Sequence, residues 1–148
     1  MPTIKDIIQE KGGEVHFVKP GTDLRTALGV MADKGVGALV VLDGAGIQGI
    51  FSERDFARKT LTLPNFNLDL PVDALMTSPV IYADPSQSIE TCMTIMTEKR
   101  VRHLPVVENG DMIGLVSIRD VIDWLIAMKK VEISELERFV ESSPEGDE

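Results

Sequence analysis

Gly49-Ile50-Phe51-Ser52-Glu53-Arg54-Asp55 and Gly114-Leu115-Val116-Ser117-Ile118-Arg119-Asp120 carry one pattern: a glycine and two apolar residues, then Ser-x-Arg-Asp. They lie 65 positions apart. Working outward at that offset aligns 15–55 with 80–120 without a gap, and 12 of the 41 positions are identical. Ordinary composition would give about two or three. The identities run from Val15/Val80 and Pro20/Pro85 through Lys34/Lys99 and Val41/Val106 to Asp55/Asp120. The chain contains a duplication, and the duplicated unit sets the fold.

Each copy reads alike. A short extended run (Val15–Val18; Val80–Tyr82) leads to a proline and then to apolar residues at helical spacing, Leu24, Ala27, Leu28 and Met31 in one copy, Ile89, Cys92, Met93 and Met96 in the other. Thr22 and Ser86 stand where helix N-caps belong. Two apolar runs follow, broken by Asp43-Gly44 or Asn109-Gly110, the signature of a hairpin. A helix then starts at Ser52 or Ser117. The order is β-α-β-β-α, twice, an α+β fold. Gly44-Ala45-Gly46-Ile47-Gln48-Gly49 matches the dinucleotide fingerprint G-x-G-x-x-G, but a strand follows it where that motif needs a helix. It reads as the hairpin turn.

This places a first repeat with its lead-in at residues 1–61, a linker rich in Pro and Asn at 62–71, and a second repeat at 72–128. A helical extension is expected over 129–141, where Ile133, Leu136 and Val140 resume an apolar face begun by Val121, Trp124, Leu125 and Met128. Ser134-Glu135-Leu136-Glu137 also fits a capping box, so the helix either continues or restarts there. Residues 142–148 have no apolar side chain to bury and read as a disordered acidic tail.

The 148 residues are 43% hydrophobic and 26% charged, ordinary for a globular chain large enough to need no disulfide. The lone Cys92 suits a reducing cytoplasm. No apolar run approaches the ~18 residues of a membrane helix. A net charge of −9 argues against binding nucleic-acid backbones. No nucleophile elbow, phosphate-binding Gly-Lys loop or metal-ligand cluster occurs, so an enzyme is not expected.

Ser-x-x-Asp is by itself a capping box. Three features point further. Both copies keep an arginine that a cap does not need. Both follow a glycine that leaves room for a ligand to approach. Both sit at a strand-to-helix junction, where free N–H groups and the helix dipole favour an anion. An ionised carboxylate accepts from two ribose hydroxyls at once, and such charge-assisted bonds are the stronger kind.

Gly49 to Asp55 and Gly114 to Asp120, with Arg102-His103-Leu104-Pro105-Val106-Val107, resemble the signature of CBS domains, named after cystathionine β-synthase, which occur in tandem as Bateman modules. The resemblance covers about residues 3 to 128. It implies two repeats packed through their sheets with pseudo-two-fold symmetry, and two clefts that take AMP, ADP, ATP, NAD or S-adenosylmethionine. On that resemblance Asp55, Asp120, Ser52 and Ser117 bind ribose, and Arg54, Arg119, Arg102 and His103 bind phosphate. Val15, Phe17, Val80, Tyr82 and Pro105 line the adenine pockets. Because Gly37-Ala38 stands where the second copy has Arg102-His103, the clefts should differ, with the phosphate-competent one around Asp120, Ser117, Arg102 and His103.

The function expected is a non-enzymatic, cytoplasmic adenine-nucleotide sensor with no catalytic cofactor, acting through a homodimer or an unidentified regulated protein. The alternative is a structural dimerisation module whose motifs only cap helices. His16 aligns with Ile81 and Cys92 with Ala27, so both read as packing positions, as does Trp124.

Overall fold

In the computed structural model, which describes residues 2–12 and 14–142, a lead-in helix α1 (Ile4–Lys11) precedes the duplicated unit. The first copy is β1 (Phe17–Val18), α2 (Leu24–Lys34), β2 (Ala38–Asp43), β3 (Gly46–Ser52) and α3 (Glu53–Lys59). The second holds α4 (Ile89–Lys99), β4 (His103–Glu108), β5 (Asp111–Ser117) and α5 (Ile118–Ser142). Short 3-10 turns stand at Thr60–Thr62 and Val72–Ala74 between them. The architecture is α+β with small sheets.

The duplication extends to backbone irregularities. β2 pairs antiparallel with β3 and slips register between Val41 and Leu42; β4 and β5 slip at the equivalent Val106 and Val107. β1 runs parallel to β2 with Val18 opposite Val41. Its counterpart in the second copy shrinks to one parallel bridge, Ala83 to Val106, and Val80–Tyr82 forms no strand. Of the fingerprint-like glycines, Gly44 lies in the turn between β2 and β3, Gly46 opens β3 and Gly49 lies within it. In the second hairpin Asn109 and Gly110 both hold positive φ (53° and 83°), the pairing that an Asn-Gly two-residue turn supplies at low cost.

Helix α2 begins one residue later than the expected cap Thr22 allows, and α4 two residues later than Ser86 allows. Asp23 and Ser88, also 65 apart, accept from the N–H groups of Thr26 and Thr91 at 2.7 and 3.1 Å. Thr22 instead donates to the Lys19 carbonyl, and Ser86 joins a turn with Asp84. These caps work because Leu24 and Ile89, both fully buried, open each helix's core face.

Two cores form, and each borrows a segment from outside its own repeat. Ile4, Ile7 and Ile8 of α1 pack with Ile89, Cys92, Met96, Leu104, Val106 and Val116 of the second copy. Val72 and Leu75 pack with Leu24, Leu39, Val41 and Phe51 of the first. The 62–71 stretch is no free tether: Leu63, Phe66, Leu68 and Leu70 cover that first core, and Phe66 meets Phe56 edge-on at 5.8 Å. The Leu70 and Leu68 carbonyls also accept from Leu24 and Arg25 at the start of α2.

α5 is one continuous helix and does not restart at Ser134. Of the 142–148 stretch, residues 143–148 lie outside the described residues.

Cys92 is fully buried, and burial pushes its thiol up to about 11. The thiolate is the reactive form. The native protein should therefore resist a disulfide reagent at mildly alkaline pH and release one equivalent only when denatured in urea. Rapid native labelling would show that this core opens readily.

Candidate functional site

The strand-to-helix junctions are built from the bottom as capping boxes. Ser52 accepts from the Asp55 N–H at 3.1 Å while Asp55 Oδ2 accepts from the Ser52 N–H at 3.0 Å. Ser117 and Asp120 repeat this at 3.1 and 2.8 Å. These bonds fix each aspartate at the mouth of a helix and leave its remaining acceptor positions to other donors. What fills them differs between copies.

Asp55 Oδ1 accepts from Thr77 Oγ1 at 3.0 Å, and the Lys59 ammonium lies 3.3 Å away, itself held by the Leu75 carbonyl at 3.0 Å. The Thr77 backbone is anchored by two bonds to Ile50 on the edge of β3. Asp120 Oδ2 instead accepts directly from the Lys11 ammonium at 2.7 Å, and Lys11 also donates to the Leu115 carbonyl at 2.9 Å. Burial alone would raise the Asp120 carboxyl; the Lys11 ammonium and the Ser117 N–H outweigh it and hold the group below its usual value. Asp120 is therefore ionised and paired at neutral pH, a stabilisation lost only as pH falls below the ordinary carboxylate range.

A cavity of about 790 Å³ opens beside Asp55. Ser52, Arg54, Asp55, Arg58, Lys59 and Thr77 line it from one side; Arg100, Arg102 and His103 line it from the other repeat. Gly37 and Arg102, and likewise Glu53 and Ile118, are equivalent positions that both reach it, so it straddles the pseudo-two-fold relation. Five cations face two acids, Glu53 and Asp55, in a chain of net charge −9. The crowding is felt: partial desolvation, then the Arg102 and Arg58 guanidiniums, lower the Arg54 pKa. Ile50, Met96, Val101 and Ile118 give the cavity an apolar wall. Such an arrangement is chemically suited to a ligand with a polyanionic end and a flat apolar one.

His103 also lies between the two aspartates. Burial, aided by Lys11 and Arg102, lowers its pKa against the opposing pull of Asp120 and Asp55. Near neutral pH it offers a neutral imidazole rather than a charge.

The structure redistributes the residues named from sequence. Arg102 and His103 line the cavity with Asp55, Ser52 and Arg54, although His103 pairs with Ser117 in the β4–β5 register and the Arg102 carbonyl accepts from Ile118. The reason is that the two copies face one another, so the loop before β4 of one repeat reaches the helix mouth of the other. Asp120 borders a separate hollow of about 350 Å³ with Lys11, Glu10, Asp123 and Trp124. Arg119 points away, 89% exposed and 3.9 Å from Asp123. Ser117, Val15, Phe17, Val80, Tyr82 and Pro105 line neither hollow. Pro105 is buried in β4 and offers its carbonyl to Ala83, while Phe17 and Tyr82 are equivalent and each 49% exposed.

The glycines also differ from expectation. A Cβ on Gly49 would stand 2.6 Å from Met76 Sδ and 3.0 Å from the Thr77 carbonyl, and one on Gly114 would run into Ile8. They make room for the chain's own crossing segments.

Sequence reasoning missed Arg58, Lys59, Thr77, Arg100 and Lys11. Lys59 was within reach, four residues after Asp55 on a helix. Arg100 carried a subtler signal. The first repeat ends its helix on Gly35 in the left-handed region (φ 64°), and the second puts Arg100 at that position with φ 55°. A side chain there costs about 1 kcal/mol or more over glycine. Arg100 lines the cavity.

Comparison with known proteins places this geometry. The CBS domain family matches residues 4–61 and 72–127. The crystal structure of the CBS domain NE2398 superposes with a TM-score of 0.80 at 41% identity, covering 85% of this chain and 99% of that one. The crystal structure of CBSX2 in complex with AMP gives 0.69 at 25% identity, covering 87% and 99%. An uncharacterized 33.4 kDa protein from the ribosomal RNA operon of Thermofilum pendens is 36% identical over 74% of this chain, which spans only 36% of that relative's length.

Proposed function

Since the chain belongs to the CBS domain family, with both repeats of a tandem pair, we propose that it is a non-catalytic sensor of adenine nucleotides whose occupancy alters its association with a second copy or another protein. The observation that carries this reading is the cavity beside Asp55, with five cations brought from both repeats into an acidic chain. CBSX2, of similar fold, binds AMP.

In this reading the Asp55 carboxylate takes the ribose hydroxyls, displacing Thr77 Oγ1 and drawing Lys59 toward phosphate, with Ser52 alongside. Arg102, Arg54, Arg58 and Arg100 take the phosphates. Neutral His103 contributes one hydrogen bond, and the base lies along Ile50, Met96, Val101 and Ile118. The cation count favours ADP and ATP over AMP and over the sulfonium of S-adenosylmethionine. Asp120 and Ser117 form the lesser site, because a ligand there must first break the Lys11 pair.

We place the module in the cytoplasm, where nucleotides abound; no helix among the described residues is long and apolar enough to cross a membrane. A ligand shifts association only by its differential affinity for the two states.

Thermal unfolding against AMP, ADP, ATP, NAD and S-adenosylmethionine tests the reading. A nucleotide at a hundred times its dissociation constant adds ~2.7 kcal/mol. ATP and ADP should give the largest shifts, and incubated ATP should remain unhydrolysed. No shift across the panel would leave the structural dimerisation module standing.

A further inference from the structure

His103 stands where the two repeats meet. It opens β4, lines the cavity beside Asp55 and is partly buried. Among the described residues no hydrogen bond reaches its imidazole, and its ring nitrogens remain accessible. Charged groups from the neighbouring elements face it: Lys11 of α1, Asp120 of α5, Asp55 of α3 and Arg102 in its own loop. The two cations and the two aspartates oppose one another. Burial then decides, and the ring is neutral near neutral pH in the free protein.

The cavity itself carries a definite charge. Arg54, Arg58 and Lys59 of α3, with Arg100 and Arg102, outnumber the acids Glu53 and Asp55 by three. Near neutral pH a metal-free nucleoside triphosphate brings about four negative charges, and a monophosphate about two. A monophosphate therefore leaves the cavity positive, which keeps His103 neutral. A triphosphate leaves it negative, and a nearby anion raises the proton affinity of an imidazole. Of the described residues that line the cavity, only His103 can gain a positive charge in this pH range.

We propose that His103 supplies the missing counter-charge: it takes up a proton when a metal-free triphosphate enters the cavity, stays neutral beside a monophosphate, and so makes the choice between them depend on pH. This rests on the nucleotide reading of the cavity and adds a determinant of selectivity to it. A proton taken up with the ligand tightens binding as pH falls. The gain is absent above the midpoint of the liganded histidine and complete below that of the free one.

Proton NMR of the full chain tests it, because only His16 and His103 give imidazole signals, and a His16→Gln protein assigns them. With saturating ATP in EDTA the His103 midpoint should rise by about one pH unit or more. AMP should hardly move it, and His16, which lines neither hollow, should respond to neither nucleotide. Titration calorimetry between about pH 8 and about pH 5.5 spans the ordinary histidine value. Over that range ATP binding should tighten up to about tenfold more in the parent than in His103→Gln, the counterpart of a one-unit shift. Titration of the phosphate itself is common to both proteins. An unmoved His103 midpoint in the ATP complex, a rise as large with AMP, or equal pH slopes for parent and variant would each overturn the proposal and leave the nucleotide reading in place. If neither nucleotide binds at any pH, that reading falls and the proposal falls with it.

Discussion

Arg102→Glu is expected to weaken ATP binding about a hundredfold or more while leaving the unliganded protein as stable as its parent. Arg102 is exposed at the cavity rim, and its guanidinium can fork onto a phosphate. Charge-assisted hydrogen bonds contribute roughly 1.5–3 kcal/mol each. Because the site is open to solvent the lower value applies, so two bonds come to about 3 kcal/mol, two decades in affinity. The new carboxylate adds repulsion toward phosphate. Stability should hold because Arg102 presses on Arg54, lowering its pKa, and its removal relieves that crowding. Arg102→Lys keeps the charge without the fork and should fall between. Raising salt should narrow the differences, since screening acts on exposed charges. Titration calorimetry measures all three proteins. An Arg102→Glu affinity within about threefold of the parent would put the phosphate elsewhere.

Arg102 and His103 were expected beside Asp120 and line a cavity with Asp55 for a definable reason. The 65-residue offset shows which residues are equivalent, and Arg102, His103, Ser117 and Asp120 are neighbours along one copy. Proximity across the pair depends on how the copies face each other, which the offset does not contain. Hairpins, helices and repeat order were legible because each rests on local patterns: Asn109-Gly110 for a tight turn, the 3.6-residue spacing of Leu24 to Met31, the Ser-x-x-Asp boxes. The short strand before Pro85 was not, because Val80–Tyr82 matches Val15–Phe17 in composition but keeps only one bridge, at Ala83.

The crossing segments were the larger omission. Ile4, Ile7 and Ile8 lie outside the aligned stretch, and nothing local tells α1 to leave its own repeat. The reason appears at Gly114, where the missing side chain admits Ile8, and at Gly49, where it admits Met76. Both glycines were read as openings for a ligand. The same local cue, a bare backbone on a strand, serves either purpose, and only packing distinguishes them.

That exchange has an energetic consequence. Ile4→Ala with Ile7→Ala should destabilise the protein by about 4–8 kcal/mol, enough to unfold much of it at room temperature. Ile4 is wholly buried and Ile7 nearly so, both against the second core. Each truncation costs about 2–5 kcal/mol through lost burial and the cavity left behind. As neighbours they will not add fully. The whole stability of such a domain is of order 5–15 kcal/mol, so the pair consumes a large part of it. The loss should also have a direction. Releasing α1 frees Lys11 from Asp120 and uncovers Cys92, which shares the same cluster. Thiol labelling should thus accelerate in step with the fall in denaturant midpoint. Val72→Ala with Leu75→Ala, which opens the first core instead, should lower stability with less effect on Cys92. If the α1 variant melts within a degree or two of its parent, and Cys92 stays protected, helix α1 is not part of the second repeat's core in solution.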